Sequence, residues 1–157
     1  MTKFFWHGYT TEVDEQATED YYAKAPDWDC ICGHCRNFVA LTRERKLPAE
    51  ILDILDALHI PPQKATYVCE LYHDEAWREK GLLYQFSWRI AGEILTKPAG
   101  EDAGPDCGPI VNFSWGGLNL IHENCPPVLE MPAPHFDLEC GMYLPWVLDE
   151  PIDGLKE

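Results

Sequence analysis

The 157-residue sequence predicts one α+β domain over 1–157, with two helices in its first half packed on a mostly antiparallel sheet of about five strands. Three observations carry that prediction. In LLYQFSWRI, residues 82–90, Leu82, Tyr84, Phe86, Trp88 and Ile90 alternate with Leu83, Gln85, Ser87 and Arg89, the period of two of a half-buried strand. Ile51, Ile54, Leu55 and Leu58 recur at i, i+3/i+4 and i+7, which marks one buried helical face. The strand-like segments follow the helical ones in a block, without the β-α-β-α alternation of a doubly wound sheet.

Along the chain, KFFWHGY at 3–9 reads as a first strand, and the acidic residues 10–29 read as a loop. A first helix starts near Cys35 and runs to Lys46, with Arg43, Arg45 and Lys46 where cations suit the helix dipole. Pro48 sits at a suitable first position for the second helix, which Pro61-Pro62 ends. Residues 65–72, ATYVCELY, make a short strand before the long one. After a Gly- and Pro-rich loop at 96–109, Val111, Phe113 and Trp115 hold one phase and Leu118 and Leu120 the other, so a β-bulge is expected at Gly116-Gly117. A Pro-rich loop, HENCPPVLEMPAP, precedes a last strand on which Phe136, Leu138, Cys140, Met142 and Leu144 alternate.

Twenty-seven acidic residues against twelve basic ones give a formal charge of -15. Such a chain repels phosphate backbones, so nucleic acid and anionic membranes are poor partners and a basic protein is a suitable one. The N-terminal MTKFFWHGYT has no apolar signal-peptide core, and no apolar run approaches the roughly 18 residues of a membrane span. Both point to a reducing cytoplasm, where the seven cysteines are thiols, metal ligands or redox groups and not a disulfide framework. No phosphate-binding Gly-x-x-x-x-Gly-Lys-Ser/Thr loop, Gly-x-Ser-x-Gly elbow or His-Glu-x-x-His helix occurs. His73-Asp74-Glu75 reads as a solvated turn, and His7 and His135 as lone histidines beside aromatics.

The chemistry concentrates in WDCICGHCRNF, residues 28–38. Its CGHC resembles the active-site dithiol of protein disulfide isomerases, and a Cys-x-x-Cys at a helix start places one thiol at the positive end of the helix dipole. In a redox enzyme Cys32 would attack, Cys35 would resolve and His34 would stabilise the thiolate. The preceding TEDYYAKAPDWDC is too polar for the buried strand that delivers this motif in thioredoxin-like folds, so the match is local. Cys30-x-Cys32-x-x-Cys35 also puts three soft ligands within six residues, as a tetrahedral zinc site requires. Cys125 of IHENCPP is the expected fourth ligand, with His122 beside it and Cys69, Cys107 and Cys140 as weaker candidates. As a third alternative, the cysteines are reduced and packed as small hydrophobes around a helix that Phe38 anchors in the core.

The run CGHCRNF resembles the Cys-x-x-Cys-Arg-Asn-Phe helix start of small, uncharacterised bacterial proteins. In these a helix-rich first half ends in a Gly-Ile-Asp-Pro-Lys-like turn, matched by LHIPPQKA at 58–65, and strands then lead to a Pro-Trp-Val-Leu-like segment, matched by Pro145 to Leu148. His59 and Pro61 stand where that turn would carry Gly and Asp. The resemblance implies an α+β fold and no particular activity.

The expected function is therefore a non-catalytic, acidic, cytoplasmic module that binds a basic protein, as an immunity-type or antitoxin-like protein does, with a structural zinc or cysteine cluster pinning the first helix. The alternative is a thiol–disulfide oxidoreductase using Cys32 and Cys35.

Overall fold

The computed structural model describes residues 1–122 and 129–152. They form an α+β fold of seven strands and four helices, in the order β1 (Thr2–Trp6), β2 (Tyr9–Val13), α1 (Glu15–Lys24), α2 (Gly33–Arg43), α3 (Ala49–Ala57), β3 (Tyr67–Tyr72), α4 (Trp77–Lys80), β4 (Leu82–Thr96), β5 (Val111–Phe113), β6 (Gly116–Ile121) and β7 (His135–Leu144). The sheet runs β1-β2-β4-β7-β6-β5, with β3 also paired to β4, and every pairing is antiparallel.

The sheet has seven strands where about five are expected, because two expected strands are hairpins. The first folds back after Trp6, with His7 and Gly8 at φ 52° and 94° and Trp6 opposite Tyr9. Two consecutive positive φ values are what a two-residue turn matching strand twist needs, and Gly8 supplies one without steric cost. The second turns at Ser114-Trp115, with Phe113 opposite Gly116. The phase shift at Gly116-Gly117 is thus a change of strand across a turn, not a bulge.

The acidic segment 10–29 is a loop only from Ala25 onward. Its first residues are β2, and Asp14 then caps α1, its carboxylate accepting from the Ala17 N–H at 3.0 Å. Thr18, Tyr21 and Tyr22 turn inward while Glu15, Glu19 and Asp20 stay exposed. The inward face ends in polar tips that need partners: Tyr22 donates to the Arg89 carbonyl at 2.6 Å and Thr18 Oγ1 accepts from the Ala91 N–H at 3.1 Å.

β4 is longer than its alternating core, and it serves two neighbours in turn. Leu82 to Ala91 pair with β7, and Gly92 to Thr96 pair with β2. The changeover falls at Gly92, at φ 147°, where a Cβ would lie 2.1 Å from the Glu12 carbonyl oxygen. Only glycine permits that approach. The even-numbered residues Leu82 to Ile90 form the core, all fully buried, and Phe38 of α2 packs on Phe86 at a ring-centroid distance of 5.0 Å.

α2 starts two residues earlier than expected, at Gly33, and α3 starts one later, with Pro48 at its cap. The turn after α3 places His59 at φ 58°, and the Ile60 N–H closes it on the Leu55 carbonyl at 2.8 Å. A left-handed residue after a helix is a glycine position. His59→Gly is expected to raise stability by about 0.5–1 kcal/mol, measured by urea denaturation.

Candidate metal centre

The start of α2 is built by a loop, not by a strand. α1 ends at Lys24, and the extended residues that follow carry Trp28, whose backbone N–H donates to the Gln63 carbonyl at 2.9 Å. That tether fixes where Cys30 enters. Cys32 then caps α2, its Sγ accepting from the Cys35 N–H at 3.4 Å. One turn of helix brings Cys35 back under Cys32, and Cys30 Sγ lies 3.5 Å from Cys32 Sγ. The sulfurs of Cys30, Cys32 and Cys35 all fall within 4.8 Å of one another. Their exposure is graded: Cys30 is exposed, Cys32 half-buried and Cys35 buried.

The electrostatics follow that gradient. The Cys30 thiol is held below its ordinary pKa, first by the Cys32 backbone N–H and then by the Cys32 and Cys35 side chains. Burial pushes Cys35 up, against a smaller opposing effect of the Trp28 indole N–H. A bare Cys35 thiolate is therefore disfavoured, and a cation bound to its sulfur would reverse this.

The rest of CRNF secures the site from below. Arg36 donates from Nε to the Ile31 carbonyl at 3.0 Å and holds Glu150 with both guanidinium nitrogens. Asn37 is fully buried; it donates to the Pro145 carbonyl at 3.0 Å and accepts from the Val147 N–H at 2.8 Å. The helix start and the PWVL segment are thus hydrogen-bonded to each other. Tyr84 reaches up from β4 and donates to the His34 carbonyl at 2.7 Å.

A second cluster stands beside the thiols at the start of α2. His34, between the two cysteines of CGHC, projects toward β3, whose Glu70 meets His73 just beyond the strand end. One ligand atom from each of His34, Glu70 and His73 falls within 4.8 Å of the others. His73 Nδ1 is 2.5 Å from Glu70 Oε1, and these side chains are only 18% and 11% exposed. His34 Nε2 is buried with no hydrogen-bond partner among the described residues. The edge of Trp146 closes over the His34 ring at a centroid distance of 6.1 Å. His73 is therefore part of a partly buried cluster and not of a solvated turn.

The remaining sequence candidates are dispersed. Cys140 is buried in β7 and Cys69 lies on β3, neither in the thiol group. His122 is exposed beyond the far end of β6, where Ile121 pairs with Asp137. The thiols lie near the other end, so His122 is displaced by roughly 17 Å along the strands and is not brought to them. Cys125 lies outside the described residues. His7 packs edge-on against Phe113 at 5.0 Å, as a surface aromatic contact. Sequence reasoning missed Glu70 and the structural duties of Arg36 and Asn37. Glu70 carried no signal, because an acidic residue inside a strand pattern looks like a solvent-facing position until α2 is laid beside β3.

The chain matches no protein-family profile, no curated protein sequence and no solved structure. Among the described residues, no helix is long and apolar enough to cross a membrane.

Proposed function

We propose that this chain is a non-catalytic, acidic protein-binding module whose α2 start is pinned by zinc held on Cys30, Cys32, Cys35 and Cys125. The observation that carries the metal is the convergence of three sulfurs within 4.8 Å. Zinc–thiolate bonds of about 2.3 Å place tetrahedral sulfurs roughly 3.8 Å apart, so little movement is needed to seat the ion. Leu129, the next described residue after Cys125, lines the same hollow as Trp28 and Asp29, immediately before Cys30. The binding surface is the acidic side: Glu15, Glu19 and Asp20 stand exposed along α1 in a chain of charge -15. Such a surface steers a basic partner and weakens with salt.

Protein purified without added metal and dialysed against a mild chelator is expected to retain about one equivalent of zinc. Four of its seven cysteines should then react with a thiol reagent only after strong chelation. Less than about 0.3 equivalents with freely reactive thiols overturns the zinc assignment. A basic protein captured at low salt and released at raised salt is the expected pull-down result, and no salt-sensitive partner at all counts against the binding role.

The competing oxidoreductase function draws on the N-cap position of Cys32, a geometry that dithiol enzymes share. Against it stand the loop that delivers the motif and the third thiol beside the pair. No turnover is expected in insulin reduction; turnover lost in Cys32→Ser would establish the enzyme instead.

A further inference from the structure

We propose that His34, Glu70 and His73 form a second metal site, separate from the thiols, that takes an exchangeable divalent first-row cation such as zinc. Two separate segments supply its donors: the first turn of α2, and strand β3 with the residue just beyond it. Two imidazoles and a carboxylate are the borderline donor set that suits zinc and its neighbours, and they fill three corners of a tetrahedron. The chain thus offers a soft and a borderline donor set at a single helix start, because His34 lies between Cys32 and Cys35.

One feature of the cluster is unexplained without a cation. His34 Nε2 is buried and has no hydrogen-bond partner among the described residues, a costly state for an imidazole nitrogen. Glu70, only 11% exposed, sits against His73 at 2.5 Å, with His34 as the third wall. A cation between them gives the His34 lone pair an acceptor and neutralises the carboxylate. Bonds of about 2.0–2.1 Å set tetrahedral donors roughly 3.4 Å apart, so the Glu70–His73 contact opens by about 1 Å while His34 closes in. The rim at His73 stays 18% exposed, which leaves the fourth corner to water. An open corner makes this the exchangeable site, in contrast to the closed tetrad of thiolates.

The test uses the full chain, dialysed against a mild chelator and titrated with Zn2+ while the ring signals of its six histidines are followed by NMR. His34 and His73 are expected to shift together and saturate at one added equivalent, with the other four unmoved. His73→Ala and the near-isosteric Glu70→Gln should each weaken that event at least tenfold in Kd. Co2+ in place of Zn2+ should give a visible band without thiolate charge transfer. Saturation at other histidines, or a Kd within twofold of the parent in both variants, overturns the site. The triple Cys30→Ser, Cys32→Ser, Cys35→Ser variant separates the two metals. If it keeps the histidine titration, the second site stands whatever becomes of the first. If the parent chain holds tight zinc but its histidine signals never move, only the second site falls.

Discussion

Phe38→Ala is expected to destabilise the protein by about 3–5 kcal/mol, the cost of deleting a fully buried aromatic from a packed core. The ring is inaccessible to solvent and meets three aromatics of β4: Tyr84, Phe86 and Trp88, at centroid distances of 6.4, 5.0 and 6.5 Å. These alternate residues present one continuous face, and Phe38 is the contact that seats α2 on it. A loss of this size approaches the whole stability of a small domain, so urea denaturation of the variant should show a strongly reduced midpoint or no cooperative transition. Phe38→Leu should recover more than half of the loss, because most of the volume is restored. Because the thiols stand on the first turn of the same helix, zinc retention should fall with the loss of structure in Phe38→Ala and return in Phe38→Leu. A Phe38→Ala variant within 1 kcal/mol of the parent would show that α2 is held chiefly by its polar contacts.

Asp137→Ala is expected to cost a comparable 3–5 kcal/mol, by a different mechanism. Asp137 on β7 lies opposite Arg89 on β4, and the two form a paired contact of 2.7 Å and 3.1 Å. Their side chains are 1% and 3% exposed. Removing the carboxylate leaves a guanidinium buried without its charge partner, and that uncompensated charge is what costs free energy. The pair itself adds little over an apolar packing, since both ions were stripped of water to make it. The double variant Arg89→Met/Asp137→Leu should therefore be far less destabilised than Asp137→Ala alone. Thermal and urea denaturation of the three proteins closes the comparison. A double variant as unstable as the single one would show that the pair contributes directly and not merely through the cost of breaking it.

Legibility in the sequence followed the range of the interactions. The alternation in LLYQFSWRI and the spacing of Ile51 to Leu58 report which face is buried, and both elements form where expected. The helix α1 was hidden because its inward face carries Thr18, Tyr21 and Tyr22, whose hydroxyls hide burial from any count of apolar residues. The cue that could have revealed it is the cap: Asp14 with Glu15 in the first turn, then inward positions at 18, 21, 22 and 25. The two hairpins read as single strands because the His7-Gly8 and Ser114-Trp115 turns continue the aromatic run without the usual Asn-Gly signal. In the site, the cysteine grouping was legible since three thiols within six residues cannot stray far from one another. The part played by Asn37 was not, because its partners at 145 and 147 reach it only through the end of β7.

By itself the sequence determined the α+β class, the core face of β4 and the thiols that can share one ion. Each is written in a local period or spacing that backbone geometry converts directly into position. Only the tertiary structure decided that His34 meets Glu70 and His73, and that Arg89 is buried with Asp137. Those partners are far apart along the chain, and what joins them is the packing of α2 beside β3 and the β4–β7 register, neither of which any local spacing records.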